Sequence, residues 1–257
     1  MTPTPDPARP HPLRAENLTV AHGDSPPLLE GMNFVAKEGE ILGILGPSGC
    51  GKSTLLRHLV GLAEPRAGKV ILFGEDIFSE GNRSLARARR KYGVMYQSGA
   101  LFGDLTLLEN VSAPLKEFTR LPPKMIRDIA FLKLSLVGLE KAAFQLPANV
   151  SGGMCKRAAI ARALALEPGL LFLDEPSAGL DPITAADLDE LIMTLAKNLK
   201  LTFVVVTHEL RSIMKIVDEA VLLGKEVRGI AAEGTPEYLA RESPAPEAIA
   251  FFQRGKK

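Results

Sequence analysis

The sequence predicts an α/β fold in which a mostly parallel β-sheet carries helices on its faces. Short apolar runs rich in β-branched residues alternate along the chain with stretches of helical periodicity, and this alternation is typical of parallel sheets. Between about residues 98 and 166 the strand signals disappear while helix signals continue, which indicates an inserted helical subdomain. The chain has 257 residues, of which 46% are hydrophobic, and it can therefore bury a substantial core.

The elements can be assigned in order along the chain. Five prolines in the first twelve residues predict a disordered tail over residues 1–12, with folded structure from Leu13. Capping-box patterns at Thr106-x-x-Glu109 and Thr184-x-x-Asp187 predict two helix starts, and a third helix is predicted between Pro122-Pro123 and Gly138. Continuous apolar runs predict six strands buried on both faces, at 40–45, 69–73, 94–96, 170–173, 202–206 and 220–223.

Composition and charge exclude several classes of protein. The 31 Lys and Arg residues nearly balance the 30 Asp and Glu residues, so no overall electrostatic footprint for a nucleic acid is present. The two cysteines, Cys50 and Cys155, lack CxxC spacing and nearby histidines, which argues against structural zinc and favours a reducing compartment such as the cytoplasm. No apolar run approaches the roughly 18 residues of a membrane span, so we expect a chain that does not cross a membrane by itself.

A glycine-rich segment directly follows the first buried apolar run. It matches the full pattern G-x-x-x-x-G-K-[ST] in the strand–loop–helix setting that phosphate binding requires, which disfavours a chance glycine-rich turn. Backbone N–H groups and the helix N-terminus are expected to bind nucleotide phosphates. Lys52 is predicted to reach the β- and γ-phosphates, and the Ser53 hydroxyl to bind Mg²⁺. This phosphate loop consists of Gly46, Pro47, Ser48, Gly49, Cys50, Gly51, Lys52, Ser53 and Thr54.

Cys50 has a special position within the phosphate loop. Because exposed amides and the helix dipole stabilise negative charge, we expect its thiolate to be favoured and reactive. Cys155 is expected to be an inert, buried small side chain.

Two further motifs carry polar groups suited to nucleotide chemistry. Asp174 and Glu175 end the buried run 170–173, at the edge where open α/β sheets bind ligands. Asp174 is predicted to hold the metal through water, and Glu175 to orient and polarise an attacking water. Ser151-Gly152-Gly153 precedes a helical pattern and predicts a second anion site, too far along the chain to be part of the phosphate loop.

The order of these motifs resembles that of ABC-transporter ATPase subunits. The resemblance also rests on Gln97 after a strand, on Ser177-Ala178-Gly179-Leu180-Asp181, and on His208 after Val204-Val205-Val206-Thr207. It covers about Leu13 to Pro236 and implies an ABC ATPase domain over 13–236, followed by a C-terminal tail over 237–257. The implied fold is a P-loop NTPase (RecA-like) core with an N-terminal antiparallel β-subdomain and the inserted helical subdomain.

The resemblance also implies roles for individual residues. Gln97 is similar to the glutamine that contacts Mg²⁺ or water and senses the membrane partner, and His208 to the histidine that touches the γ-phosphate. With Lys52 and Glu175 they form the implied catalytic set. Asp181 is similar to the aspartate that couples two sites across a dimer. His22 aligns with the aromatic residue that often stacks on adenine, and with imidazole there the preference for adenine over guanine stays open.

Departures from the general family pattern narrow the resemblance. Met154 replaces the glutamine that usually follows Ser-Gly-Gly. This residue, the phrase Tyr96-Gln97-Ser98-Gly99-Ala100-Leu101-Phe102 and the segment Asp181-Pro182-Ile183-Thr184 resemble the ATPase subunit of the Mla/Mce-type lipid transporters of diderm bacteria. ATP and Mg²⁺ are then the implied cofactors. The implied partners are a second copy with head-to-tail ATP sites, a membrane permease, a small regulatory subunit and a lipid-binding substrate protein, at the cytoplasmic face of the inner membrane.

Other functions agree less well with these motifs. Within the family, the alternative is an ATPase subunit for transport of a small solute or for lipoprotein release. An ABC protein that acts on DNA or ribosomes usually has tandem cassettes or strongly basic stretches, and the sequence has neither. A P-loop kinase or GTPase would leave the Ser151 motif unexplained. The aromatic pair Phe251-Phe252 in the C-terminal tail could dock on a neighbouring subunit or close the core of its own chain.

Overall fold

A computed structural model describes residues 11–23 and 25–253, so the predicted disordered tail lies outside the described residues except for its last two positions. The strands of the described chain are β1 (Leu13–Val20), β2 (Leu29–Ala36), β3 (Ile41–Leu45), β4 (Ala67–Leu72), β5 (Glu75–Asp76), β6 (Tyr92–Met95), β7 (Leu170–Asp174), β8 (Thr202–Val206), β9 (Glu219–Gly224) and β10 (Gly229–Gly234). The helices are α1 (Lys52–Leu59), α2 (Asn82–Ala88), α3 (Leu107–Phe118), α4 (Pro123–Leu136), α5 (Gly152–Ala163), α6 (Pro182–Leu199), α7 (Leu210–Ile216), α8 (Pro236–Arg241) and α9 (Pro246–Gln253).

A six-stranded sheet with the order β10-β9-β3-β8-β7-β6 forms the centre of the fold. Its strands from β9 to β6 are mutually parallel, and β10 pairs antiparallel at one edge. Every residue of β3, β7 and β8 is buried. Helices cover one face of the sheet, and α1 with the antiparallel sheet described next covers the other. The predicted parallel sheet of continuously apolar strands is therefore confirmed.

A second, antiparallel sheet has the order β2-β1-β4-β5. It contains the apolar run 69–73, which the sequence assigned to the mostly parallel sheet, so that assignment was wrong. The first half of β4 is exposed and only its second half is buried, so β4 is not buried along its whole length as the sequence predicted. The sheet corresponds to the antiparallel β-subdomain that the resemblance implied.

The helical subdomain, residues 98–166, contains α3, α4 and α5 and no strand, as predicted. Thr106 caps α3 in a reciprocal capping box: the Glu109 N–H donates to the Thr106 Oγ1 at 3.2 Å, and the Thr106 N–H donates to the Glu109 carboxylate at 2.8 Å. Pro123 occupies the first turn of α4, where the missing N–H costs nothing. Both predicted helix starts in this subdomain are confirmed.

The predicted start of α6 was wrong. The helix begins at Pro182, and its N-cap is Asp181, whose Oδ1 accepts from the Ile183 N–H at 3.0 Å and the Thr184 N–H at 3.1 Å. Thr184 therefore lies within the first turn and does not cap the helix. Aspartate is a favoured N-cap residue and proline is favoured at the first helical position. Asp181 and Pro182 therefore set the start of the helix, although Thr184-x-x-Asp187 has the spacing of a capping box.

The C-terminal helices α8 and α9 pack against the body of the same chain. Phe251 and Phe252 are buried in the larger hydrophobic core, with their rings edge to face and their centroids 5.2 Å apart. None of the helices within residues 11–23 and 25–253 is long and apolar enough to cross a membrane.

A buried carboxylate lies between α6 and α7. Asp189 is 3% exposed, and its Oδ2 accepts from the Ser212 hydroxyl at 2.9 Å. Its Oδ1 is buried without a hydrogen-bond partner. Burial raises the pKa of Asp189, and the bond from Ser212 only partly opposes this rise. The negative charge therefore destabilises the packing of these two helices.

We predict that Asp189→Asn raises the free energy of unfolding at pH 8 by about 1 kcal/mol, because the neutral amide avoids the cost of a buried charge. A raised folded-state pKa means that proton binding stabilises the wild type fully below the ordinary aspartate pKa of about 3.9 and that this stabilisation is lost as the pH rises through the folded-state value. The gain should therefore shrink toward pH 4 in urea unfolding curves.

The control is Asp187→Asn on the same helix, where the side chain is 58% exposed and should leave the stability unchanged. An equal loss of stability in Asp189→Asn at pH 4 and pH 8 would contradict the buried-charge explanation.

Candidate nucleotide-binding site

Four loops meet at one edge of the central sheet. Each follows the carboxyl end of a parallel strand: the phosphate loop follows β3, Gln97 follows β6, Glu175 follows β7 and His208 follows β8. Because β3, β8, β7 and β6 are adjacent in the sheet, the topology brings these predicted site residues to a common edge.

The phosphate loop has the conformation that its glycines permit. Gly46 has φ +147°, and a Cβ there would lie 2.7 Å from the Cys50 Sγ and 2.8 Å from the Leu223 carbonyl oxygen. Gly51 is the left-handed N-cap of α1, with φ +105°. The buried Lys52 ammonium donates to the carbonyls of Gly46 at 2.8 Å and Pro47 at 3.2 Å, which holds it within the loop.

The prediction of a reactive Cys50 was wrong. The side chain is only 2% exposed, and burial raises the pKa of its thiol despite the nearby Lys52. Desolvation of the thiolate outweighs the helix terminus and the cation. Cys155 is partly buried, its Sγ lies 3.4 Å from the Pro147 carbonyl oxygen, and burial raises its thiol pKa as well.

Two oxygen ligands suited to a hard cation lie across the site. The Ser53 hydroxyl donates to the Asp174 Oδ1 at 3.4 Å. Burial and the neighbouring Glu175 raise the pKa of Asp174, while the Ser53 bond lowers it, so a bound cation would stabilise the ionised carboxylate. No group of three or more His, Cys, Asp or Glu side chains that could hold a metal occurs among the described residues. A metal here would take its other ligands from phosphate and water, as Mg²⁺ usually does.

Glu175 and His208 form a short side-chain hydrogen bond, in which His208 Nδ1 lies 2.7 Å from Glu175 Oε1. The Glu175 side chain is 10% exposed, whereas that of His208 is 53% exposed. The Glu175 backbone is unusual, with φ +46°, and its N–H donates to the Val206 carbonyl at 2.8 Å. A mostly buried carboxylate paired with an accessible imidazole can accept and relay a proton.

Lys156, on α5, is a site residue that the sequence analysis missed. Its buried ammonium donates to the Gln97 carbonyl and, at 3.4 Å, to the Glu175 carbonyl. The Gln97 side chain itself is exposed. A signal was available, because Lys156 is in helical phase with the buried residues Gly153, Ala159 and Ile160.

The Ser151 motif begins α5, and its two glycines belong to the helix instead of preceding it. Ser151 is the N-cap and accepts from the Met154 N–H at 3.3 Å. Ser151 and Gly152 are exposed, but Gly153 packs so closely against α6 that a Cβ would lie 2.4 Å from Thr184 Cγ2. The helix end is therefore open to a ligand while its second residue is fixed against the core.

The two remaining predicted residues have local partners. The His22 Nε2 lies 3.0 Å from the Thr54 Oγ1, which brings the exposed imidazole beside the phosphate loop and α1. Asp181 is exposed at the N-cap of α6, and the hydrogen bonds from Thr184 lower the pKa of its carboxyl.

Comparison with known proteins gives one family. The family model described as ABC transporter matches residues 29–178. The chain is 41% identical to the "Intermembrane phospholipid transport system ATP-binding protein MlaF" of Haemophilus influenzae, over 88% of this chain and 85% of that protein. It is 39% identical to the "Probable ribonucleotide transport ATP-binding protein mkl" of Mycobacterium tuberculosis, over 82% of this chain and 58% of that protein.

Solved structures agree with this result. A dimeric post-hydrolysis structure of the ATP-binding cassette MJ0796, bound to ADP and Pi, superposes with a TM-score of 0.78 at 32% identity and covers 87% of this chain and 98% of that chain. The chain therefore belongs to the ABC transporter family and is the ATP-binding and ATP-hydrolysing subunit of such a transporter.

Proposed function

We propose that this protein powers an ABC transporter that moves phospholipid or a related lipid between the membranes of a diderm bacterium. The observation that carries the proposal is the 41% identity to a protein named for intermembrane phospholipid transport, over 85% of that protein's length. Met154 and the segment from Ser98 to Phe102, which led the sequence analysis to lipid transporters, support the same function.

The geometry supports a division of labour in ATP hydrolysis. Lys52 and the phosphate loop bind the phosphates, and Glu175 orients and deprotonates the attacking water. The His208 Nδ1 lies 2.7 Å from the Glu175 Oε1 and can accept that proton in turn. Ser53 and Asp174, with Gln97, would hold Mg²⁺, which neutralises phosphate charge when bound. His22 would stack on the base beside α1.

The exposed end of α5 supports a head-to-tail dimer. Ser151 and Gly152 are exposed at the start of α5, where helix N–H groups can bind an anion. The phosphate loop of the same chain is a separate site that follows β3, so the anion at α5 would belong to a nucleotide held by another copy. In a dimer, each Ser151 would face the nucleotide held by the other copy, and Asp181 would couple the two sites. The related MJ0796 cassette was solved as a dimer with nucleotide.

An apolar patch supports a membrane partner. Phe131 and Phe144 line a shallow cavity of about 400 Å³ on the helical subdomain, and Phe144 is 72% exposed. The other lining residues are Leu108 and the charged Arg127 and Asp128. Phe102, on the loop after Gln97, is 57% exposed. Patches of this kind mark protein interfaces. We assign this one to a permease at the cytoplasmic face of the inner membrane, in a complex that also contains a small regulatory subunit and a lipid-binding substrate protein.

A second candidate function is transport of a small solute, or lipoprotein release. The specific observation in its favour is the 39% identity to a protein named for ribonucleotide transport, of which this chain spans 58%.

Glu175→Gln should bind ATP normally but hydrolyse it at least about 100-fold more slowly, because it loses the general base and keeps the phosphate loop. It should accumulate as an ATP-bound dimer, detectable by size-exclusion chromatography with light scattering. Lys52→Ala should instead lose tight ATP binding. Glu190→Gln, at a carboxylate that is 72% exposed, is the control and should retain normal turnover. Normal turnover in Glu175→Gln would remove Glu175 from its proposed role.

Ser151→Arg and Lys52→Ala should each be inactive alone but partly active when mixed. A mixed dimer would contain one site with an intact phosphate loop facing an intact helix end, so at most about half of the per-dimer activity should return. ATPase assays across mixing ratios measure this recovery. Substantial activity in pure Ser151→Arg would exclude a role for this helix end in the dimer.

The transport proposal can be tested by purifying the native complex in mild detergent. We expect an integral membrane permease and phospholipid to copurify, and phospholipid to stimulate ATPase activity. Phe144→Ser should fold normally, because the ring is exposed, but recover less of the permease. Stimulation by ribonucleotide or another soluble solute, with no effect of phospholipid, would favour the second candidate.

A further inference from the structure

A buried ammonium group joins two of the catalytic loops from the helical subdomain. Lys156 is 7% exposed, and it extends from α5 to the backbone carbonyls of Gln97 and Glu175. Neither contact involves the reacting side chains. Lys156 therefore acts on the main chain of two residues that follow the carboxyl ends of β6 and β7.

The Glu175 main chain needs such support. Glu175 adopts φ +46°, a left-handed conformation that residues with a side chain rarely adopt. Its N–H is held by the Val206 carbonyl at 2.8 Å, and its carbonyl accepts from Lys156 at 3.4 Å. The peptide units on both sides of the catalytic carboxylate are thus fixed, which sets the direction of the side chain.

The loop after β6 is held from the same helix by a second cation. Arg162 donates to the carbonyls of Ala100 at 2.6 Å and Gly99 at 2.9 Å. With Lys156 bound to the Gln97 carbonyl, α5 holds three carbonyls within four residues of this loop. The hydrogen bond from Lys156 to the Glu175 carbonyl connects α5 and the loop after β6 to the end of β7.

The charges around Lys156 explain why a cation is tolerated there. Burial lowers the pKa of Lys156, whereas the carboxylates of Asp174 and Glu175 raise it. A neutral side chain of the same length could fill the space but could not bind two carbonyls.

We propose that Lys156 is a positioning residue for ATP hydrolysis, which fixes the main chain of Glu175 relative to the loop that carries Gln97. The inference rests on the proposed role of Glu175. Helix α5 then connects two parts of the site. Ser151 lies at its N-terminus, and Lys156 in its second turn binds the Glu175 carbonyl. Displacement of α5 would shift the carboxylate that orients the attacking water.

The test measures ATP hydrolysis and ATP affinity in the full-length chain. Lys156→Met should lower kcat at least about 10-fold and leave the Kd for ATP within about twofold, because the phosphate loop is untouched. Lys156→Arg, which keeps a donating cation, should recover most of the lost kcat. If Lys156→Met does not fold, Lys156→Ala leaves room for water at the two carbonyls and should show the same split between kcat and Kd.

Lys133→Met is the matched control. Lys133 lies in the same subdomain, is also 7% exposed, and pairs with Glu167 at 3.1 Å, away from the site. It should change thermal stability but not kcat. Normal kcat in folded Lys156→Met or Lys156→Ala, or an equal loss in Lys133→Met, would overturn the inference. Normal kcat in Lys156→Met together with a slow Glu175→Gln would refute only the inference, whereas normal turnover in Glu175→Gln would refute the proposed function itself.

Discussion

The parallel pairing of β3, β8, β7 and β6 is the constraint on which the rest of the site depends. In register, Ile44 lies opposite Val206, Val206 opposite Asp174, and Leu173 opposite Met95, so the four strands end at nearly the same level. With about 4.8 Å between neighbouring strands, the loops that follow them emerge within roughly 15 Å of one another. Motifs that are more than 150 residues apart in the chain thereby come to one edge of the sheet.

Charge balance at this edge is the second constraint. Asp174 and Glu175 are both buried, and burial raises the pKa of Asp174. Two buried cations lie near these carboxylates. Lys52 belongs to the phosphate loop, and Lys156 belongs to α5 of the helical subdomain. The two cations offset the burial of Asp174 only in part, and a bound Mg²⁺ would stabilise its ionised form further.

Motifs whose chemistry depends on local sequence could be predicted, whereas features that depend on tertiary contacts could not. The phosphate loop, the Asp174-Glu175 strand end and the cap of α3 are local, and the structure has them where the sequence places them. The run 69–73 was assigned to the wrong sheet because apolarity does not identify pairing partners. Cys50 was expected to be reactive because its burial in a hydrophobic cluster with residues distant in the chain is not visible in the local sequence. Lys156 was missed because its helical phase indicates burial but does not identify its partners, which are two backbone carbonyls.

The most direct test of the account is an experimental structure of the Glu175→Gln protein with Mg²⁺ and ATP. The account predicts a dimer in which Lys52 Nζ contacts the β- and γ-phosphates, Ser53 lies at the metal, and the helix end at the partner subunit's Ser151 faces the γ-phosphate. The Lys156 bonds to the Gln97 and Glu175 carbonyls should persist. Nucleotide bound away from the carboxyl ends of β3 and β7, or a dimer that leaves Ser151 remote from both nucleotides, would contradict it.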